Sequence, residues 1–205
     1  MMRRTVVVGA IWGTFCGLAN GFLVASTLAQ MAVPWVWVAA FVGYRMAKST
    51  KKAALLGEIS LLVANVVYFA IGTVSGGLPG APLGGGIRFF VLWTGIGLVV
   101  GPIAGVIGWS TTAERSALAA VVALATASVA EPLALWAHID HVDAHFAYLI
   151  VAIVSFTFPV VWLRRTWRKA VKAAALVLAL TYPTAVTLEL VLIGLRQISP
   201  PMRLL

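Results

Sequence analysis

The chain has 205 residues, 61% hydrophobic and 10% charged, with a formal net charge of +9. Soluble domains carry about 25% charged residues, so the composition excludes a water-soluble globule and points to an all-α, polytopic membrane bundle. A nucleic-acid partner is excluded as well, because the basic residues sit at the ends of apolar runs, where membrane orientation puts them.

Apolar runs of about 20 residues recur, each long enough for a membrane helix. A membrane β-barrel would need alternating strands of about 10 residues instead. No polar stretch is long enough for a second domain, so one helical-bundle domain over residues 1–205 is expected. Cys16 is the only cysteine, which rules out an intrachain disulfide. Residues 1–28 do not read as a cleaved signal, because their apolar run is long and glycine-rich.

The first predicted span is 5–28, preceded by Arg3 and Arg4. Gly9, Gly13, Gly17 and Gly21 share one helix face, where missing side chains let another backbone approach. Asn20 lies beside that face. Pro34 suits the first turn of a second segment, 35–47. That segment is short for a span, and its Trp35 and Trp37 fit an interfacial belt. Arg45, Lys48, Lys51 and Lys52 close it. The third span, 53–74, carries Glu58, Asn65 and Tyr68 on one face. Glu58 is close enough to the basic cluster to pair with Lys51 or Lys52. A flexible glycine- and proline-rich loop is expected over 75–87, without a phosphate-loop signature.

The fourth span, 88–109, carries Gly97, Gly101 and Gly105, with Pro102 as a kink. Its glycine face and that of the first span are expected to pack against each other. After a short loop at 111–115, the fifth span enters the stretch 120–145. Glu131 interrupts its apolar run. Pro132 follows and removes the backbone donor to residue 128. A loop with His138, Asp140, His141, Asp143 and His145 comes next. The sixth span is 146–163, the seventh is 173–195 with Glu189, and 196–205 is a tail.

Orientation supports seven crossings. With the amino terminus in the cytoplasm, twelve basic residues fall inside: Arg3, Arg4, Arg45, Lys48, Lys51, Lys52, Arg115, Arg164, Arg165, Arg168, Lys169 and Lys172. Only Arg88, Arg196 and Arg203 fall outside, as the positive-inside rule prefers. The expected location is the cell membrane, with an external carboxyl terminus. A six-span form with segment two as a re-entrant helix is the alternative.

An ionisable residue inside a membrane segment is costly and marks a functional site by default. Glu131 and Glu189 lie at similar depth below the external face in this topology. Desolvation favours the neutral form of a carboxylic acid, which is then a proton donor at neutral pH. Packing by a neutral, hydrogen-bonded Glu explains each acid separately. The histidine-rich loop offers metal ligands, but it lacks an H-E-x-x-H motif, so no metal site and no cofactor is expected. No nucleophile triad is recognisable.

Several short motifs resemble a family of small actinobacterial membrane proteins known as a domain of unknown function. They are Pro34-Trp35, Ala40-Phe41-x-Gly43, Gly57 with Tyr68 downstream, Trp93, Gly101-Pro102-x-x-Gly105 and Ala130-Glu131, covering roughly residues 9–135. That family would have an Asn closer to the Pro-Trp pair than Asn20 is. The resemblance implies a membrane architecture and no particular activity. The chain is also loosely similar to integral-membrane terpene cyclases, which have about seven spans and embedded acids. A further loose similarity is to substrate-capture subunits of vitamin transporters, which carry a small-residue stripe on their first span.

The expected function is acid-initiated cyclisation or isomerisation of an isoprenoid or similar lipid entering from the bilayer. Glu131 is the expected proton donor, and Glu189 stabilises the cation or takes the final proton. Asn20, Asn65 and Tyr68 are expected to orient the substrate. Trp93 and Trp136 shield the cation through their ring faces. The alternative is a small-molecule capture subunit or transporter with partner subunits.

Overall fold

The computed structural model describes residues 1–19, 31–75, 83–112, 116–136, 142–162 and 167–198. They form helices α1 (Met2–Ala19), α2 (Ala32–Met46), α3 (Thr50–Ser75), α4 (Leu83–Ser110), α5 (Ala117–Trp136), α6 (Val142–Trp162) and α7 (Trp167–Ile198). Among the described residues, four stretches are long and apolar enough to cross a bilayer: Thr50–Val74, Phe90–Ser110, Ala117–Trp136 and Trp167–Val191. The protein is all-α, and these helices are those of a membrane protein. At 15 residues, α2 is roughly 22 Å long, short of the ~30 Å hydrocarbon core.

Element boundaries depart from expectation in three places. The helical part of α4 starts at Leu83, inside the anticipated 75–87 loop. Glycine is tolerated in membrane helices more than in soluble ones, so its run there does not break α4. Val142 opens α6, so Asp143 and His145 stand on a helix rather than in a loop. The last helix, α7, begins at Trp167, taking Arg168, Lys169 and Lys172 into its first turns. Asn20, Gly21, His138, Asp140 and His141 lie outside the described residues.

The chain divides into two compact units, Met1–Leu124 and Ala125–Leu205. In the first, α3 is the centre. A Cβ on Gly9 would sit 2.5 Å from the Ser60 carbonyl oxygen, and one on Gly13 would meet the Ala64 carbonyl oxygen. Gly17 faces Ile71. These pairs make α1 parallel to α3. On an adjoining face of α3, Gly97, Gly101 and Gly105 of α4 face Leu61, Glu58 and Ala53, so α4 runs antiparallel to α3. Two close approaches pin α2 onto α4: Gly43 meets the Gly105 backbone, and Gly108 meets the Ala40 carbonyl.

The expectation that the glycine faces of α1 and α4 pack together is therefore wrong. Each face packs on α3, which has small residues of its own in Ala53, Gly57, Ser60 and Ala64. Gly57 and Ala53 receive α4, while Ser60 and Ala64 receive α1. A glycine face lets any backbone approach, and α3 offers carbonyl oxygens close enough for weak Cα–H···O contacts.

In the second unit α6 and α7 pack against each other. Ala130 and Ala134 of α5 form a small buried cluster with Ala185 of α7, and Leu188 packs against it.

Candidate functional site

The second unit contains the embedded acids. Glu131 is only 8% exposed. The next residue, Pro132, lies inside α5 and is fully buried. Proline cannot donate to the carbonyl four residues back, which here belongs to Ser128, a buried residue itself. One turn of α5 thus joins a carboxylic acid, a hydroxyl and a proline.

Two other helices reach α5 in this unit. Tyr148 of α6 is buried and lies within electrostatic reach of Glu131. His145, nearly one turn earlier on α6, sets its ring edge-on against Trp136 of α5, with centroids 4.4 Å apart and planes at 71°. Ala185 and Leu188 of α7 pack at Ala130 and Ala134. Glu189 follows Ala185 by four residues, so it shares that helix face one turn on. It is half-buried. Glu131 and Trp136 thus lie on α5, and Glu189 lies on α7, whose Ala185 and Leu188 pack at Ala130 and Ala134. A buried carboxylic acid such as Glu131 can hold a proton in apolar surroundings and give it up.

The first unit contains Asn65, Tyr68 and Trp93. Asn65 is buried on α3, and its side-chain amide donates to the Thr94 hydroxyl of α4 at 2.9 Å. Tyr68, one turn further along α3, belongs to a buried cluster with Cys16, Ala19 and Phe69, against which Trp93 packs. A run of ring contacts passes through it. Trp12 and Phe15 stack at 5.5 Å, and Trp12 meets Trp35 edge-on at 6.5 Å. Trp35 meets Tyr68 at 5.7 Å, Tyr68 meets Phe69 at 5.1 Å, and Phe69 meets Phe90 at 5.5 Å. The indole N–H of Trp12 is buried without a hydrogen-bond partner among the described residues.

Trp35 is thus a member of this ring cluster. Rings on two other helices, Trp12 of α1 and Tyr68 of α3, meet it edge-on, and it keeps partial exposure. Sequence reasoning also missed Trp12 and Thr94. Trp12 and Phe15 are three residues apart beside the glycine face of α1, which marks a second, aromatic face. Thr94 is one of few polar residues inside its span. The acids and the Asn65 group belong to different compact units.

One protein-family model, described as a family of unknown function (DUF6518), matches residues 2–194. The match extends well past residue 135, where the short motifs stop. No curated protein and no solved structure matches the chain. The chain belongs to this family of unknown function.

Proposed function

We propose that this member of the family is an integral-membrane enzyme that carries out acid-initiated isomerisation or cyclisation of an isoprenoid or similar unsaturated lipid. The observation that supports it is the burial of Glu131 inside α5, where Ala185 and Leu188 of α7, the helix that carries Glu189, pack one residue away at Ala130. The Glu131 carboxylic acid gives its proton to an alkene carbon of the substrate, leaving a carboxylate and a carbocation. A second alkene of the same molecule closes a C–C bond onto that cation. Loss of a proton from the neighbouring carbon to the Glu189 carboxylate restores an alkene. Product and substrate are isomers, and a proton returned from Glu189 to Glu131 resets the pair. Trp136, further along α5, is the ring proposed to shield the cation through its face. Apolar surroundings keep water from quenching it.

The finer topology belongs to the same reading: seven crossings of the cell membrane, a cytoplasmic amino terminus and an external carboxyl terminus. The partners are the bilayer and a hydrophobic substrate drawn from it.

The Trp12–Trp35–Tyr68 ring cluster, with the Asn65–Thr94 pair beside it, favours a second reading. There the first unit captures a small aromatic or vitamin-like molecule for partner transport subunits. One experiment separates the two. Purified protein in vesicles is incubated with linear prenyl substrates, and products of unchanged mass are sought. A new isomer whose formation falls roughly a hundredfold or more in Glu131→Gln, the scale of a lost general acid, supports the enzyme. An unaltered rate in that variant removes Glu131 from the chemistry. Absence of any product across a broad panel, with partner proteins co-purifying, favours capture.

A further inference from the structure

We propose that one end of the first unit is a binding face for the headgroups of anionic phospholipids. Six cationic side chains converge there from three helix ends. The parallel register of α1 on α3, with Gly9 at Ser60 and Gly13 at Ala64, sets Arg3 and Arg4 beside the first turns of α3. The end of α2 joins them: Thr5 of α1 is fully buried, and its hydroxyl reaches the Met46 sulfur at 3.5 Å. Arg45 lies in that last turn of α2, and Lys48, Lys51 and Lys52 follow through the short connection into α3. All six side chains are exposed.

Among the described residues of this unit their charge is almost uncompensated. Glu58 is the one carboxylate among the described residues of this unit, and it lies about two turns along α3 from Lys51 and Lys52, half-buried near Gly101. Helix dipoles do not change the balance, because α1 and α3 begin at this face while α2 and α4 end there. The face also sits at headgroup depth. Thr50 is the first residue of one candidate membrane span and Ser110 the last of another, and the two helices are antiparallel. Long cationic side chains at that level reach the interface with their stems on apolar surface. Juxtamembrane clusters of four to eight Lys and Arg bind anionic lipid surfaces in this way. The assignment is independent of the reaction proposed for the second unit.

The test uses the full chain in phosphatidylcholine vesicles and in vesicles of phosphatidylcholine mixed with phosphatidylglycerol. The parent should melt several degrees higher in the mixed vesicles and retain phosphatidylglycerol through detergent extraction, read by native mass spectrometry. Arg45→Gln, Lys48→Gln, Lys51→Gln and Lys52→Gln combined should abolish both effects. The smaller pair Arg3→Gln and Arg4→Gln should weaken them, and it keeps the test open if the larger variant does not fold. Inorganic phosphate added to phosphatidylcholine vesicles should leave the melt unchanged. Arg168→Gln, Lys169→Gln and Lys172→Gln, on α7 of the other unit, should leave lipid retention near the parent value. Equal melting of the parent in both vesicle types overturns the proposal, as does stabilisation by free phosphate. Equal loss of retention in the α7 variant overturns it too, by reducing the effect to net charge.

Discussion

Hydroxyl groups inside these helices mostly turn back onto their own backbone. Ser60 donates to the Gly57 carbonyl at 2.8 Å, and Thr181 donates to that of Val177 at 2.7 Å. Thr126 on α5 does not: it is 5% exposed, and its hydroxyl has no partner among the described residues. An unsatisfied buried polar group costs about 1–3 kcal/mol. Thr126→Val keeps the shape and removes the hydroxyl, so it should raise stability by up to about 1 kcal/mol. A thermal melt in lipid vesicles measures this, and clear destabilisation would show that the hydroxyl has a partner. Glu131 should respond in a different way: Glu131→Gln keeps most polar contacts while removing the acid, so the melt should move little while turnover collapses. Residue-scale features were legible in proportion to how foreign they are to their surroundings. A carboxylate in an apolar run announces itself, and Glu131 was read from the sequence on that ground. The Asn65–Thr94 bond was not, because the partner lies 29 positions away on another helix and neither residue says which one it will meet.

At the scale of elements, glycine has two roles that the structure tells apart. Gly105 lies against the Ala53 carbonyl, and Gly13 against that of Ala64, both backbone atoms that no rotamer change can move. Gly95 sits on the same α4, exposed, with nothing within 4 Å of a Cβ placed there. Gly105→Leu or Gly13→Leu should therefore destabilise the first unit by at least about 3 kcal/mol, the upper range for overpacking. Gly95→Ala should be neutral or stabilise by up to about 1 kcal/mol, because it removes chain entropy without a clash. Similar melts for Gly13→Leu and Gly95→Ala would dissolve the distinction. These partners also mark where sequence reading stopped. The glycine faces of α1 and α4 were visible as periodic gaps, but a gap does not name what fills it. The complementary signal was the run Ala53, Gly57, Ser60 and Ala64 on α3, hidden because only one of the four is glycine. Pro34-Trp35 is silent for a related reason, since nothing in the pair names Trp12 and Tyr68 as the rings that Trp35 meets.

For the whole molecule, the sidedness of two basic segments decides how many helices cross. The segments are 45–52 and 164–172. If α3, α4 and α5 each cross the bilayer, the segment before α6 lies opposite the α2–α3 connection. Whether 164–172 returns to the side of 45–52 then depends on α6 alone. With 21 residues, α6 is roughly 31 Å long, enough for the hydrocarbon core at little tilt. Five basic residues follow its end, Arg164, Arg165, Arg168, Lys169 and Lys172, and their cost in the external leaflet pulls the helix through. Both segments are thus expected on the same, cytoplasmic side. Single cysteines placed at Ser49 and Thr166, in a background with the buried Cys16 changed to Ala, test this with a membrane-impermeant thiol reagent. Neither site should label in sealed, right-side-out vesicles, and both should label once the vesicles are opened. Labelling of position 166 alone from outside would leave α6 on one side of the bilayer and strand those five charges there. Labelling of position 49 from outside would invert the whole orientation. Only when both stay protected do Glu131 and Glu189 come to equal depth from the external face, as a shared proton path requires.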